Sequence, residues 1–288
     1  MKHLLFFSAF LILLSCNRER RDIRNMEKFE FQDIDRGYIL YKPDGLPANS
    51  PLVFVMHGYG GNAEWIQEYS QMNALADQHQ FAVCYPQGKR VGGNGDTHWN
   101  ARLDLSTIDD VGFLSSLASY LQSEHNLNPN KTFACGMSNG GFMSYTLACE
   151  ASNTFKAIAS VTGTMSGDSW NTLSMSMLPV MPSTPILHIH GTQDNIVPID
   201  GSMSTDGGWG GAPAVDSVIS YWSTTHNCNA IDTLFFPQNT TAYHYHSDTD
   251  SNKVWYYKID GMGHEWPEPS TSYGIVASEV IWDFFSKQ

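Results

Sequence analysis

The chain has 288 residues, of which 42% are hydrophobic, so it is long and apolar enough to form one large globular domain. Its formal net charge of −13 at pH 7 argues against nucleic acid or an anionic membrane surface as a partner, since both would repel it. Neither quantity restricts a neutral substrate.

The N-terminal residues resemble an export signal. Lys2 precedes an apolar run from Leu4 to Leu14, which has the length of a signal-peptide core and is too short for a stable transmembrane span. The run ends in LLSC, which resembles a bacterial lipobox, although Leu14 is bulkier than usual at its position. We therefore expect a lipoprotein-type signal peptide over residues 1–15 and a lipid on Cys16. An ordinary secretory peptide that is cleaved elsewhere is the alternative.

The rest of the chain is predicted to form a short tether and one domain. Residues 16–27 comprise the lipidated cysteine and a charged tether, and residues 28–288 form the domain. Export would allow disulfide bonds among the four remaining cysteines, which permit three pairings. The sequence does not choose among them, although Cys149 with Cys228 is preferred. Cys84 and Cys135 lie in apolar, strand-like segments typical of buried thiols, and the spacings do not match a zinc site.

Strands and helices are predicted to alternate along this domain. Short apolar runs that end near Gly or Pro predict strands, in chain order GYILYKP, LVFVMHG, FAVCYP, KTFACG, KAIASVTG, PILHIHG and VWYYKIDG. Helices are predicted between or after them: one from Ala63 through WIQEYSQMNALADQHQ, then DDVGFLSSLASYLQSEHNL, GGFMSYTLACE and IVASEVIWDFFSKQ. Asp109 is the expected N-cap of the second helix. Val276, Val280 and Phe284 are expected to share one face of the last.

This alternation predicts an α/β fold, a mostly parallel twisted sheet with helices on both faces. In such sheets functional residues lie at the carboxyl ends of the strands. The residues that could carry chemistry in this chain all follow predicted strands.

The sequence GMSNG at residues 136–140 fits the pattern G-x-S-x-G between a predicted strand and a predicted helix. Gly136 and Gly140 would allow a turn so tight that it pushes the Ser138 hydroxyl out of the fold. Ser138 is therefore a candidate nucleophile, and an N-cap serine in an ordinary turn is the alternative.

A nucleophilic serine needs a base and an acid, and both are found later in the chain. His264, in the glycine-rich DGMGHEWP loop after the last core strand, is the candidate general base. Asp194, just after PILHIHG, is the candidate acid that orients it, with Asp200 as the nearby alternative. The order Ser138, Asp194, His264 is that of α/β hydrolases.

The remaining histidines of interest fit other roles. His57 ends a strand and is expected to fix local backbone, while His188 and His190 alternate along a buried strand and are expected to be structural. His244 and His246, in YHYHSDTD, are expected in a solvated hairpin, and a metal site is the alternative there.

The sequence also offers donors for an oxyanion and aromatic candidates for substrate contact. The backbone N–H groups of Tyr59, in the loop HGYGGN, and of Asn139 are the expected donors. Trp99, Trp209 and Trp266 lie in predicted loops and are candidate substrate contacts. Their alternative role is to anchor those loops.

Together the motifs YPQG, HWN, DDVGF, GMSNGG, HGTQDNIVP and GMGHEWP resemble a known esterase group. It contains extracellular polyhydroxybutyrate depolymerases, feruloyl esterases and acetyl xylan esterases of carbohydrate esterase family one. The resemblance runs from about residue 35 to the C-terminus. It implies an α/β-hydrolase fold, a triad of Ser138, Asp194 and His264, and oxyanion donors from Tyr59 and Asn139. It implies no cofactor and no metal, and a structural role for DDVGF.

The leading hypothesis is a secreted serine carboxylic-ester hydrolase that removes feruloyl or acetyl groups from polysaccharide. The loop HGYGGN lacks the cysteine of typical polymer depolymerases, so a polyester (polyhydroxybutyrate) depolymerase or oligomer hydrolase is the alternative. A peptidase and a non-catalytic glycan-binding surface lipoprotein are further alternatives. The expected partner is an ester-bearing polysaccharide or polyester. Membrane attachment is expected only through a lipid on Cys16, and the expected location is the bacterial cell envelope. The sequence does not give the oligomeric state.

Overall fold

The computed structural model describes residues 23–93, 95–175, 184–247 and 250–288. The described residues form these strands: β1 (Glu27–Phe31), β2 (Ile34–Tyr41), β3 (Leu52–Met56), β4 (Ala82–Pro86), β5 (Lys89–Arg90), β6 (Thr97–His98), β7 (Thr132–Met137), β8 (Ile158–Val161), β9 (Ile186–Gly191), β10 (Ala230–Phe236), β11 (Thr240–Ser247) and β12 (Asp250–Ile259). The helices are α1 (Ala63–Ser70), α2 (Met72–His79), α3 (Asp110–Glu124), α4 (Asn139–Glu150), α5 (Gly167–Met175), α6 (Val215–Thr225) and α7 (Ala277–Ser286). Short 3₁₀ turns lie at Val91–Gly93 and Asp206–Gly208.

A ten-stranded sheet has the order β1-β2-β4-β3-β7-β8-β9-β12-β11-β10, and β5 and β6 form a separate pair. The six central strands, β4 to β12 in that order, are parallel to one another, and the strands at both edges are antiparallel. The predicted mostly parallel sheet is confirmed. The carboxyl ends of β3, β7, β8, β9 and β12 consequently meet at one edge.

Helices cover both faces of the sheet, because successive apolar side chains of its buried strands point to opposite faces. On β3, Leu52, Phe54 and Met56 point into a core cluster shared with α3, α4 and α6. Val53 and Val55 point the other way, into a cluster shared with α1, α2 and α7. A strand buried on both faces explains why the sequence there is continuously apolar rather than alternating.

Two helix predictions need correction. The single helix predicted after Ala63 is two helices, because Gln71 adopts a left-handed conformation with φ 53° and interrupts the helical hydrogen bonds. In α7 the fully buried face contains Ile281 and Phe284, whereas Val280 is only partly buried. Val276 is the extended N-cap residue rather than a member of that face.

The N-terminal boundary and the preferred cysteine pairing also differ from expectation. β1 begins at Glu27, within the predicted tether, and pairs with β2. Cys84 and Cys135 are buried thiols, as predicted. Cys149 is also a thiol, so the preferred Cys149–Cys228 disulfide is not formed.

The signal peptide and Cys16 lie outside the described residues. Within the described ranges no helix combines the length and apolar character required to cross a bilayer.

Candidate active site

Ser138 sits at the turn between β7 and α4 in a conformation that non-glycine residues rarely adopt, with φ 53° and ψ −120°. Its N–H donates to the Val161 carbonyl of the neighbouring strand at 2.9 Å, which fixes the turn against the sheet. Ser138 is half-buried, so part of the residue is exposed to solvent. The turn therefore presents an oxygen at the carboxyl edge of the sheet at the cost of local backbone strain.

The glycines around Ser138 are required by close backbone packing. A Cβ on Gly136 would lie 2.4 Å from the carbonyl carbon of Gly140. A Cβ on Gly140 would lie 2.3 Å from the Met56 carbonyl oxygen at the end of β3. The turn thus closes on itself and on the neighbouring strand, which only residues without a side chain allow.

The structure brings His264 and Asp194 together. They follow β12 and β9, which are parallel neighbours in the sheet, and His264 Nδ1 lies 2.8 Å from Asp194 Oδ2. The other carboxylate oxygen, Oδ1, accepts the backbone N–H groups of Ile196 at 2.9 Å and Val197 at 2.8 Å. An ionised carboxylate can only accept, so Nδ1 carries the proton and Nε2 is left as the basic nitrogen.

Opposing effects act on the Asp194 carboxyl. Burial raises its pKa, but the hydrogen bond and charge of His264, with the N–H of Val197, together hold that pKa below the ordinary value. Asp194 is therefore ionised at neutral pH, as a partner for an imidazolium must be. Asp200, the alternative acid, is fully exposed and accepts hydrogen bonds from Ser202, so it stabilises a turn.

Ser138 shares the sheet edge with this pair but is not bonded to it. β7, which precedes Ser138, lies two positions from β9 in the same parallel sheet. Within the part of the chain that the structure describes, no hydrogen bond joins the Ser138 hydroxyl to the His264 ring. Such bonds are often long in unliganded hydrolases and shorten when substrate binds.

The loop after β3 runs directly beside the serine. A Cβ on Gly58 would lie 3.4 Å from the Ser138 Cβ, which places the next residue, Tyr59, at the entrance of the turn. Among the described residues, neither the Tyr59 nor the Asn139 backbone N–H has a hydrogen-bond acceptor. Two unpaired donors on either side of a serine are suited to bind a developing oxyanion.

The Asn139 side chain and Trp99 hold this loop in place. The Asn139 amide accepts the Trp99 N–H at 2.7 Å and donates to the Trp99 carbonyl at 3.1 Å. The indole N–H of Trp99 donates to the His57 carbonyl at 3.0 Å. The expectation that Trp99 contacts substrate is wrong, because its side chain is fully buried in this network.

His57 fixes the backbone of the same loop, as predicted. Its Nε2 accepts the Gly88 N–H at 3.0 Å, so Nδ1 carries the proton and donates to the Gly58 carbonyl at 2.7 Å. Burial lowers the pKa of His57 to about 4, and the ring is neutral in the folded protein.

The other two tryptophans differ from each other. Trp266 is fully buried, and its indole N–H donates to Ser278 Oγ at 3.2 Å, so its prediction as a substrate contact is also wrong. Trp209 is half-buried and packs edge-to-face on the Tyr59 ring, with 5.0 Å between centroids. This aromatic pair borders the oxyanion loop.

Several supporting residues were missed from the sequence. Asp110 forms a buried ion pair with Arg36 at 2.7 Å and accepts the Asn100 N–H at 2.8 Å. Asp109 beside it caps α3, as predicted. The sequence shows the two adjacent acids, but Arg36, the ion-pair partner of Asp110, lies on a distant strand, and no local sequence pattern points to it. Ile196 is 64% exposed on the Asp194 turn, an apolar side chain that the sequence analysis did not single out.

Both histidines of the predicted hairpin have partners among the described residues. His244 stacks on Trp255 with 3.9 Å between ring centroids, and His246 lies 3.4 Å from Asp232. Across the described ranges, no group of three or more His, Cys, Asp or Glu side chains is arranged to hold a metal ion.

Solved structures resemble this fold closely. An acetyl xylan esterase from Aspergillus awamori superposes with a TM-score of 0.63 at 14% identity, covering 92% of this chain and all of that one. Esterase PE8 superposes with a TM-score of 0.57 at 16% identity, covering 88% of this chain. At such low identity the likeness shows the fold, which is that of the α/β hydrolases.

Curated relatives share sequence as well. The bifunctional acetylxylan esterase/xylanase XynS20E of Neocallimastix patriciarum is 26% identical over 259 residues, 89% of this chain and 34% of that protein. Poly(3-hydroxyalkanoate) depolymerase C of Paucimonas lemoignei is 25% identical over 93% of this chain and 67% of its own length. Feruloyl esterase C of Emericella nidulans is 31% identical over 59% of this chain and 58% of its own length.

This chain thus spans about a third of the first relative, and 47% of another, the putative esterase NocK of Nocardia uniformis. A family model supplies the remaining comparison. Residues 36–220, more than half of the chain, match the model described as Esterase PHB depolymerase, and the chain belongs to that family.

Proposed function

We propose that this protein is an exported serine esterase that removes acyl groups, feruloyl or acetyl, from polysaccharide. One observation carries the proposal: the 2.8 Å contact of His264 with Asp194 lies at the same sheet edge as a strained, accessible Ser138. Ser138, His264 and Asp194 act as nucleophile, base and acid, respectively.

The geometry supports a two-step mechanism. His264 Nε2 removes the Ser138 proton as the oxygen attacks the ester carbonyl, and Asp194 stabilises the resulting imidazolium. The oxyanion accepts the backbone N–H groups of Tyr59 and Asn139. His264 returns the proton to the leaving alcohol, and water activated by the same ring then releases the acid from the acyl-serine. No cofactor or metal takes part in these steps.

The substrate class rests on the relatives and on the aromatic pair. Relatives are named acetylxylan esterase and feruloyl esterase, and the Tyr59 and Trp209 rings form an apolar wall for a sugar or a feruloyl ring. The relative named poly(3-hydroxyalkanoate) depolymerase and the name of the family model favour a polyester substrate as the second candidate.

The proposed location at the cell envelope is based on the N-terminal sequence. A signal peptide over residues 1–15 would export the protein, and a lipid on Cys16 would hold it at the cell envelope. Metabolic labelling with a fatty acid would mark the wild-type protein but not Cys16→Ala. Label that persists on the variant would refute the anchor.

The activity is tested with purified residues 17–288. Acid release from methyl ferulate, acetylated xylan and polyhydroxybutyrate is followed in parallel, with Ser138→Ala as the matched control. We expect turnover of methyl ferulate or acetylated xylan and none by the variant. Clearing of polyhydroxybutyrate alone would support the polyester candidate, and a Ser138→Ala protein with full activity would overturn the catalytic assignment. Glycan binding without turnover would identify a binding protein.

A further inference from the structure

A chain of buried hydrogen bonds lies behind the candidate acid. The Tyr145 hydroxyl lies 2.8 Å from His188 Nδ1, and His188 Nε2 lies 3.0 Å from His190 Nδ1. His190 Nε2 in turn lies 2.8 Å from the Val197 carbonyl oxygen. The two histidine rings stack with 5.2 Å between centroids, and neither they nor Tyr145 have a role in the steps above.

The proton positions along this chain follow from its last member. A carbonyl oxygen can only accept, so His190 Nε2 carries a proton and donates to Val197. Burial lowers the pKa of His190 and of His188, so both rings are neutral and each has one N–H. His190 Nδ1 must then accept from His188 Nε2, and His188 Nδ1 must accept from the Tyr145 hydroxyl. Every member has a partner, and all the bonds point the same way, from Tyr145 to Val197.

The two ends of this chain lie on the two halves of the site. Tyr145 belongs to α4, about two helical turns after Ser138. Val197 belongs to the turn of Asp194, whose Oδ1 accepts the Val197 N–H at 2.8 Å. His190 Nε2 also lies 3.6 Å from Asp194 Oδ2, the oxygen that holds His264. The chain thus links the helix that follows the nucleophile to Val197, the residue whose N–H also holds the acid.

We propose that His190 is a positioning residue of this esterase, with its tautomer set by His188 and Tyr145. It holds the Asp194 turn at a fixed place relative to the helix of Ser138. This inference rests on the proposed function, because it assigns a purpose to His190 only if Asp194 orients His264. His190 itself is fully buried, so it touches neither substrate nor reacting atoms.

The proposal predicts what loss of the His190 donor does. The Val197 carbonyl would lose its buried partner, and the turn that holds Asp194 would be free to shift. A displacement of about 1 Å in catalytic geometry costs on the order of a hundredfold in rate. Substrate contacts would stay intact, so the loss should fall on kcat and leave KM nearly unchanged.

Three single variants and one double variant test this with p-nitrophenyl acetate as the probe. His190→Leu removes the donor, His190→Gln keeps an N–H near the position of Nε2, and Tyr145→Phe removes only the hydroxyl at the far end. We expect kcat to fall about 10- to 100-fold in His190→Leu, to recover largely in His190→Gln, and to fall less in Tyr145→Phe. The double variant Tyr145→Phe/His190→Leu should be no slower than His190→Leu, because the chain is already broken. Thermal unfolding shows whether each sample is folded, and titration with a fluorophosphonate counts its reactive sites.

The outcomes separate positioning from mere stability. Equal kcat per titrated site in wild type and His190→Leu would overturn the proposal, as would equal losses in the Leu and Gln variants. If His190→Leu does not fold, Tyr145→Phe decides: a lower kcat per site at unchanged KM supports positioning, and an unchanged kcat overturns it. An inactive wild type, or an active Ser138→Ala, would instead refute the proposed function before the variants are compared.

Discussion

Acidification should destabilise this protein through His57, the ring that holds the oxyanion loop. Burial lowers the pKa of His57 from 6.5 to about 4. Between those values the unfolded chain takes up a proton that the folded chain does not. Stability linked to His57 is therefore complete above the unfolded pKa and declines as the pH falls below it. From pH 7 to pH 5, the linkage relation gives a loss of about 2 kcal/mol from this one ring.

The contribution of His57 can be isolated by comparing two proteins at two pH values. Urea unfolding of wild type and His57→Gln at pH 7 and pH 5 gives four free energies of unfolding. Gln does not titrate, and its amide oxygen can still accept the Gly88 N–H that His57 Nε2 accepts. Carboxylates and the other buried histidines titrate in both proteins, so their contributions cancel in the double difference.

We expect His57→Gln to be less stable than wild type at pH 7, because its fit to the Gly58 carbonyl is poorer. On acidification it should lose about 2 kcal/mol less than wild type does. Equal losses in the two proteins would mean that His57 takes up its proton in the fold as easily as outside it. That result would refute the assignment of a neutral, backbone-fixing ring.

Two further predictions concern activity. Asp194→Asn should lower kcat by roughly four orders of magnitude, because an amide favours the wrong tautomer of His264. Circular dichroism should show an intact fold, and wild-type kcat in this variant would contradict the role of the acid. Trp209→Ala should raise KM for feruloyl esters several-fold with little change in kcat, since it removes only the wall beside Tyr59. The matched control is Trp282→Ala, which stacks on Phe81 at the amino end of β4. An equal rise of KM in the control would remove Trp209 from the substrate site.

Much of this architecture is predictable from local sequence. The candidate nucleophile, acid and base each follow a short apolar run, because chemistry in parallel sheets collects where strands end. The glycines at 136 and 140 indicated a close backbone approach, and the distances to Gly140 and Met56 bear that out. These features depend on neighbours along the chain, and the sequence contains them directly.

The features that failed depend on residues far apart in the chain. Trp99 and Trp266 look like exposed loop aromatics, but their indole groups are buried by partners on other elements. The break at Gln71 is a left-handed conformation that helix propensity does not reveal. β10 was missed because Asp232 and Thr233 interrupt its apolar residues, and nearly all of this edge strand is exposed rather than part of the core.

The contact of Gly140 with the end of β3 has a consequence for how this protein could change. Close main-chain packing and the buried side chains of Asn139 and Trp99 set the spacing between the serine turn and the loop of Tyr59, since a Cβ on Gly140 would lie 2.3 Å from the Met56 carbonyl. Side chains at the rim, such as Trp209 and Ile196, take no part in that spacing. Substitution at the rim can therefore alter which esters are accepted while the reacting groups keep their separation. Evolution or protein engineering can therefore act on two largely independent sets of positions. The packed serine turn and oxyanion loop must be kept, whereas the rim side chains can be substituted.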